Sequence, residues 1–423
     1  MRCSVEKLCR KKVHIICLAA LLGFLLVTNH ILQKLESSQR RTLHDFANPE
    51  MKQKEETLPL RTKKIKDLIQ KYRFDLDMVI DDSPWAIAAK WVKAREIHPS
   101  HIPELGAILN AMASYPITQA STGHKGTQLK LKLRLKHGQI VAFKPMWYKR
   151  DTILSGSPYI GRDRHNGEVA AFHLNRILEF RRAPLVVGRR INLDTEIIPV
   201  ASPALLKTFF TNGSNTCFYG KCLYCLGKDD GVCADKNILE GVVALWFPLE
   251  MKLQLSKHPW ARTYKKNVKA LWETDDTYCD KIKGIRVFQH SPLLLDILDT
   301  AIFDYLIGNG DRHHYERFRD EPDAALLLLD NAKSFGNPNV DETSILAPII
   351  QCCRLRKSTW EQLLIHEDGD LGAVLKGVLE NEVISPVLHD PHYTAIDRRL
   401  SHVLKIIRNC IHKHGEDNVL AEN

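Results

Sequence analysis

The most regular alternation in the chain runs from position 129 to 136. Leu129, Leu131, Leu133 and Leu135 take turns with Lys130, Lys132, Arg134 and Lys136, the period of two that marks a half-buried strand. His137-Gly138 predicts a hairpin turn, and Gln139 to Lys144 a returning strand that ends Ile-Val-Ala-Phe-Lys. Helical spacing appears in Thr62 to Tyr72, in Trp85 to Arg95, and between Arg164 and Phe180, where Val169, Phe172, Leu174 and Ile177 form the expected buried face. Within Glu240 to Leu249, the run Val242-Val243-Ala244-Leu245-Trp246 reads both as a core strand and as a hinge between lobes. Leu293 to Leu306 has the spacing of a buried helix, broken by Gly308 and Gly310. Four leucines, Leu326 to Leu329, predict a short buried strand. From the hinge to Cys410 the composition is mostly helical, and no internal repeat or low-complexity block interrupts it.

The chain's 423 residues, 44% of them hydrophobic, suffice for one large bilobal domain or two smaller ones. A net charge of +10 and a pI of about 9.0 suit anionic partners, and suit a merely solvated basic surface equally well. No Lys/Arg block accompanies a nucleic-acid module, so no nucleic-acid partner is expected. Arg2, Lys7, Arg10, Lys11 and Lys12 precede an apolar stretch from Val13 to Thr28. We read 1–12 as a cytoplasmic tail, 13–31 as a type II signal-anchor transmembrane helix and 32–58 as a luminal stem. A cleaved signal peptide is the alternative, but no Ala-x-Ala site follows. Beyond the span lie Cys217, Cys222, Cys225, Cys233, Cys279, Cys352, Cys353 and Cys410, an even set suited to disulfides in an oxidising lumen. Zinc at Cys222-x-x-Cys225 is the competing reading, weakened by the lack of a second CxxC. Asn212-Gly213-Ser214 offers a glycosylation acceptor at Asn212.

Placed on these elements, the charged residues form a recognisable series. Asp311 follows the buried helix in Gly308-Asn309-Gly310-Asp311-Arg312-His313-His314-Tyr315-Glu316, and Asp330 ends the four-leucine run. Helix, loop with a base, short strand and metal-binding acid is the order of parts in a protein-kinase catalytic lobe. Asp311 is the candidate base. Glu316, five residues on, stands where such kinases carry a metal-binding asparagine. Asp330 is the candidate metal ligand, although Asp330-Asn331-Ala332 lacks the usual phenylalanine and glycine. Lys144 would meet ATP phosphates, Glu168 would pair with it, and Asp163 is a second acid near the same lysine. The bland readings are a strand-end lysine and a helix-start acid that complements the macrodipole. Ser121 to Gln128 occupies the place of a glycine-rich loop with two glycines rather than three, which leaves part of the phosphate contact to Gln128. Adjacent His313 and His314 are expected to point apart and have no third ligand at fitting spacing, so a zinc site is not expected there.

Three stretches carry a family resemblance: the loop Gly308 to Glu316, Arg164-His165-Asn166-Gly167-Glu168, and Leu329-Asp330-Asn331-Ala332-Lys333-Ser334-Phe335-Gly336. Together they resemble the secretory-pathway kinase family that includes the Golgi casein kinase. Gly310 and the Asp-Asn-Ala-Lys-Ser-Phe-Gly run are most similar to its xylose-phosphorylating branch. The resemblance covers roughly Leu58 to His412. It implies an α+β, two-lobed atypical protein-kinase-like fold with a mostly helical C-lobe, disulfide-stabilised. We accordingly expect an N-lobe with N-terminal helices and a disulfide-rich insert over 59–240, a C-lobe over 241–415 and a tail over 416–423.

The resemblance also implies ATP as co-substrate and manganese (Mn2+) as the metal, with Mg2+ as the alternative ion. By motif position, Gln128, Lys144, Asp163, Val242, Val243, Ala244, Leu245, Glu316 and Asp330 would bind ATP, Asp163 and Asp330 would hold metal, and Asp311 would be the base. It implies the pairs Cys217–Cys233, Cys222–Cys225, Cys279–Cys352 and Cys353–Cys410. The implied reaction moves the ATP γ-phosphate to the 2-hydroxyl of xylose in the proteoglycan linkage region and promotes glycosaminoglycan chain elongation. The implied setting is the Golgi membrane, with association with related family members. Trp147, Tyr159, Tyr315 and Trp360 are candidates for stacking on a sugar. The alternative within the fold is a protein serine kinase acting on Ser-x-Glu sites. A pseudokinase is disfavoured by the intact Lys144, Asp163, Glu168, Asp311 and Asp330. A glycosyltransferase reading of Asp75-Leu76-Asp77 or Asp368-Gly369-Asp370 lacks the surrounding strand–helix alternation.

Overall fold

The computed structural model describes residues 49–422 except 124, 125 and 290, with side chains from residue 60 onward. The chain separates into two compact units, Met1–Lys64 and Ile65–Asn423. The expected tail and anchor segments, 1–12 and 13–31, and most of the stem lie outside the described residues. Among the described residues no helix is long and apolar enough to cross a membrane. The last ten residues of the expected stem are helical, because α1 spans Pro49–Tyr72 and starts earlier than Thr62. Its opening turns are rich in Glu, Lys and Gln, which propagate a helix without an apolar face.

Helix α2 (Pro84–Trp91) ends four residues before the expected Arg95. The cause is tertiary: the chain leaves the helix so that Arg95 can reach Asp296, with two hydrogen bonds of 2.8 and 2.9 Å. After α3 (Glu104–Ser114) come β1 (Ile117–Thr122), β2 (Leu131–Leu135) and β3 (Ile140–Pro145). The alternation expected for β2 is found, with Leu131, Leu133 and Leu135 buried and Lys132 and Arg134 turned outward. Its turn is a short 3-10 segment, Lys136–Gly138, in which His137 takes a left-handed φ of 65°. Helix α4 (His165–Ile177) and β4 (Val186–Asn192) follow.

An insert of three short strands, β5 (Phe209–Asn212), β6 (Asn215–Phe218) and β7 (Val232–Cys233), precedes β8 (Ile238–Leu245). The main sheet has the order β1-β2-β3-β8-β4, antiparallel throughout. The lobe boundary expected at 240/241 therefore falls inside a strand. Gly241 to Leu245 still pair with β3, and the change of lobe comes after Leu245. Asn212 is exposed beside the β5–β6 turn, where a glycan has room.

In the C-lobe, β9 (Leu253–Lys257) pairs with β10 (His314–Phe318), and helix α5 (Leu293–Ile307) runs through the core. Only Leu295 on α5 escapes full burial. Three acids on this helix are buried yet paired: Asp296 and Asp299 with Arg182 and Arg356, and Asp304 with Arg312. Removing one partner of such a pair costs roughly 3–5 kcal/mol, because a charge is left without compensation. The expected strand at Leu326–Leu329 is instead an extended segment with a single bridge, Glu316 to Leu327. Leu326 to Leu328 are buried, so the apolar run reports burial rather than pairing.

Helices α6 (Ala347–Cys352), α7 (Lys357–Leu364), α8 (Leu371–Leu379) and α9 (Pro391–His414) complete the lobe. The expected tail belongs to it as well: Leu420–Ala421 pairs in parallel with Leu355–Arg356. All four expected disulfides are present, Cys217–Cys233 and Cys222–Cys225 in the insert and Cys279–Cys352 and Cys353–Cys410 in the C-lobe. The last two close 73 and 57 residues. In the chain-entropy view each stabilises by about 4 kcal/mol.

Candidate active site

A cleft of about 440 Å³ opens where the sheet meets the C-lobe, within the size range of small-ligand sites. Its apolar walls come from Ala142, Ala244, Leu245, Phe247, Met251 and Leu329, and its charged end from Lys130, Lys144, Glu168, Glu316 and Asp330. An apolar slot with charge at one end suits a nucleotide, the base in the slot and the phosphates at the charged end. Val242 and Val243 lie outside the slot. They are fully buried one step earlier in β8, opposite Lys144 and Phe143, and the lining begins at Ala244. Gln128 is also absent from the lining, and its buried Oε1 has no partner among the described residues.

Strand β3 delivers Lys144 to the charged end. Its Nζ lies 2.5 Å from Glu168 Oε1, 2.5 Å from Asp330 Oδ1 and 3.6 Å from Asp163 Oδ2. Three acids expected from two separate stretches of sequence thus meet at one ammonium. Burial opposes the charge on Lys144, but the three acids outweigh it and hold the amine well above its ordinary value. Asp330 faces the open cleft, and the Lys144 charge holds its carboxyl well below the usual range. Its φ of 56° is left-handed, a conformation aspartate tolerates better than most residues. Asp163 behaves oppositely. Burial, aided by the neighbouring Asp330, pushes it up to about 6 against the pull of Lys144.

The raised value marks a buried carboxyl beside a second one, and a divalent ion would favour its ionised form. The two acids, Asp163 and Asp330, are hard oxygen donors of the kind Mn2+ and Mg2+ prefer. Among the described residues no group of three or more His, Cys, Asp or Glu encloses a metal position. Two carboxylates plus nucleotide phosphates are the usual way such ions are held at kinase sites.

The motif around Glu168 is explained residue by residue. Arg164 donates from its amide to Ala332 O at 2.8 Å, and its guanidinium donates to the carbonyls of Ser334 and Lys333. His165 hydrogen-bonds Glu240 at 2.9 Å, and Asn166 Nδ2 donates to Val387 O at 2.9 Å. Gly167 is needed for close approach, since a Cβ there would lie 2.7 Å from Ser334 Oγ. Helix α4 is thereby fastened to the Asp330 loop.

The Asp311 loop leaves α5 through Gly308, whose φ of 70° ends the helix. Asn309 Oδ1 accepts from the Asp311 amide at 3.1 Å. Arg312 spans Asp304, Leu329 O and Asn331 Oδ1 at 2.6 to 2.8 Å, which locks the loop to the Asp330 segment. Burial raises the Asp311 carboxyl, partly offset by a 2.5 Å hydrogen bond from Tyr264 Oη. The same hydroxyl lies 2.9 Å from His313 Nδ1. Burial likewise raises Glu316 on β10, while Arg312 pulls the other way.

The imidazoles of His313 and His314 do not point apart; they meet edge to face with centroids 4.5 Å apart. Of the four stacking candidates, Tyr159 reaches this end, with its ring 4.7 Å from that of Tyr264. Tyr315 is buried, while Trp147 lies against Arg162 and Trp360 against Arg408. Neither Tyr264 nor Lys130 was expected from sequence: Tyr264 sits in no motif, and Lys130 reads as an outward strand residue.

The family model described as Golgi casein kinase, C-terminal, Fam20 matches residues 83–419. The human glycosaminoglycan xylosylkinase is 56% identical over 342 residues, covering 81% of this chain and 83% of that protein. The solved structure of hydra Fam20 with sugar has a TM-score of 0.79 and 45% identity, covering 81% of this chain and 99% of that one. The Golgi casein kinase with Mn/ADP bound has a TM-score of 0.77 and 30% identity, covering 89% and 94%.

Proposed function

Because this chain belongs to the Fam20 family, the family of the Golgi casein kinase, we propose that it is a glycosaminoglycan xylosylkinase. Its reaction transfers the γ-phosphate of ATP to the 2-hydroxyl of xylose in the proteoglycan linkage region and promotes glycosaminoglycan chain elongation. The observation that carries the choice of acceptor is the 56% identity to the human xylosylkinase, against 38% to the human extracellular serine/threonine protein kinase FAM20C. The convergence of Glu168, Asp163 and Asp330 on Lys144 supports phosphoryl transfer independently of any name.

In this reading the adenine lies against Ala244 and Leu245, and Lys144, oriented by Glu168, draws charge from the nucleotide phosphates. Asp311 accepts the proton of the xylose 2-hydroxyl as its oxygen attacks the γ-phosphorus in line and the bond to the ADP oxygen breaks. Glu316 borders the cleft and assists nucleotide binding. A divalent cation held by Asp163 and Asp330, manganese in our reading, would neutralise phosphate charge. We further infer a Golgi luminal domain tethered by residues 13–31, with Asn212 glycosylated and family members associating with it. Protease protection of tagged chain in intact vesicles tests the orientation.

The acceptor is tested with radiolabelled ATP offered to a galactosyl-xyloside and to casein in parallel. Label on the galactosyl-xyloside is expected. Label on casein alone would favour the Ser-x-Glu kinase instead.

A further inference from the structure

One segment beside the candidate base carries positive charge that phosphoryl transfer does not use. Residues 257–272 contain five cations, Lys257, Arg262, Lys265, Lys266 and Lys269, and no acid. Arg262 is matched by Glu342 at 3.6 Å. Lys265, Lys266 and Lys269 are exposed, and none of them forms an ion pair among the described residues. Tyr264 fixes where this charge sits. It precedes the lysines directly, is 48% exposed, and its Oη lies 2.5 Å from Asp311 Oδ1. The lysine-rich segment therefore borders the mouth through which an acceptor hydroxyl must reach the base.

The xylose of the linkage region is the sugar joined to the core protein itself. With its hydroxyl at Asp311, the peptide that carries it would lie within about one sugar ring of the base, the space that Tyr264 and the lysines after it border. We propose that residues 264–269 are a docking surface for an acidic stretch of the core protein beside the acceptor xylose, so that the enzyme reads peptide charge as well as sugar. The proposal rests on the xylosylkinase reading. Charge complementarity of exposed groups acts chiefly on encounter and binding, and weakens as salt screens it.

The test uses the full chain and three acceptors that share one galactosyl-xylose unit: a glycopeptide with Asp/Glu flanks, the same glycopeptide with Asn/Gln flanks, and the free glycoside. The acidic glycopeptide is expected to exceed the neutral one by about tenfold in kcat/KM, through KM, and the excess should shrink as sodium chloride rises. The triple variant Lys265→Ser, Lys266→Ser, Lys269→Ser should make the two glycopeptides equivalent. Replacing the same three lysines by arginine should keep the preference. Equal use of both glycopeptides by the unaltered enzyme, or a preference that survives the serine variant, overturns the proposal. If none of the three acceptors is phosphorylated, the xylosylkinase reading falls and the proposal with it.

Discussion

Replacing Gly310 with alanine tests how tightly the candidate base is positioned. A Cβ at Gly310 would lie 2.4 Å from Pro158 Cβ, 3.1 Å from the Pro158 carbonyl oxygen and 3.2 Å from its carbonyl carbon. Carbon atoms in contact prefer about 3.5–4.0 Å, so the overlap is roughly 1 Å. The obstructing atoms are a proline ring and backbone, and neither can swing aside as a long side chain would. Either the Pro158 segment or the Asp311 loop must move by about that distance. Overpacking of this kind costs about 1–3 kcal/mol, and an error of about 1 Å at a reacting group can cost up to about 100-fold in rate.

We expect Gly310→Ala to lower kcat for transfer to a galactosyl-xyloside by about 10- to 100-fold, to lower Tm by a few degrees, and to leave the affinity for nucleotide unchanged. Gly310 does not line the nucleotide cleft, which is why binding should survive. Adding Pro158→Gly removes the obstructing Cβ and should restore much of the loss, since residues in contact couple. A Gly310→Ala enzyme with unaltered kcat and Tm, or a double variant no better than the single, would refute the reasoning.

Other outcomes follow from the same geometry. Asp311→Asn should retain nucleotide binding and lose turnover, measured by calorimetry beside the transfer assay; loss of both would make Asp311 a metal ligand or a structural residue. Asp330→Ala should weaken manganese-ATP binding itself, and undiminished affinity would contradict its assignment. In Tyr264→Phe the base loses the hydrogen bond that lowers its carboxyl, so its pKa rises further. Asp311 must be ionised to accept a proton, so the acid limb of the kcat/KM profile should move to higher pH; an unmoved limb would separate Tyr264 from the base.

Stability should also respond to Glu240. Burial alone would raise its carboxyl, but hydrogen bonds from His165 and Arg150 hold it down to about 2 from an ordinary 4.5. Its contribution is complete above pH 4.5 and is lost as pH falls towards about 2. Glu240→Gln should therefore flatten the decline of Tm over that window, and an unchanged slope would rule the interaction out as a source of acid lability.

Much of the site was legible because its residues lie at the ends of strongly patterned elements. Lys144 closes an apolar strand, Glu168 sits on a helix with a clear buried face, and Asp311 follows a helix apolar on nearly every side. Pattern fails where position depends on contacts distant in sequence. Tyr264 comes 47 residues before Asp311 and in no periodic element, so nothing local announces that it touches the candidate base. The lobe boundary expected at 240/241 falls inside a strand for a related reason: an apolar run is the same whether it pairs as a strand or leads into a hinge. Arg95 pulled α2 short for the sake of Asp296, a contact 201 residues away that no local propensity encodes.

Arg164 has a wider consequence. In a two-lobed kinase the helix that bears the glutamate and the loop that bears the metal-binding aspartate can move separately, and independent movement provides a means of turning such enzymes off. Here one guanidinium and one amide from the start of the helix grip three successive carbonyls, of Ala332, Lys333 and Ser334, so the two elements are coupled. Drawing the helix away from the loop would first have to break these three hydrogen bonds, each contributing about 0.5–3 kcal/mol.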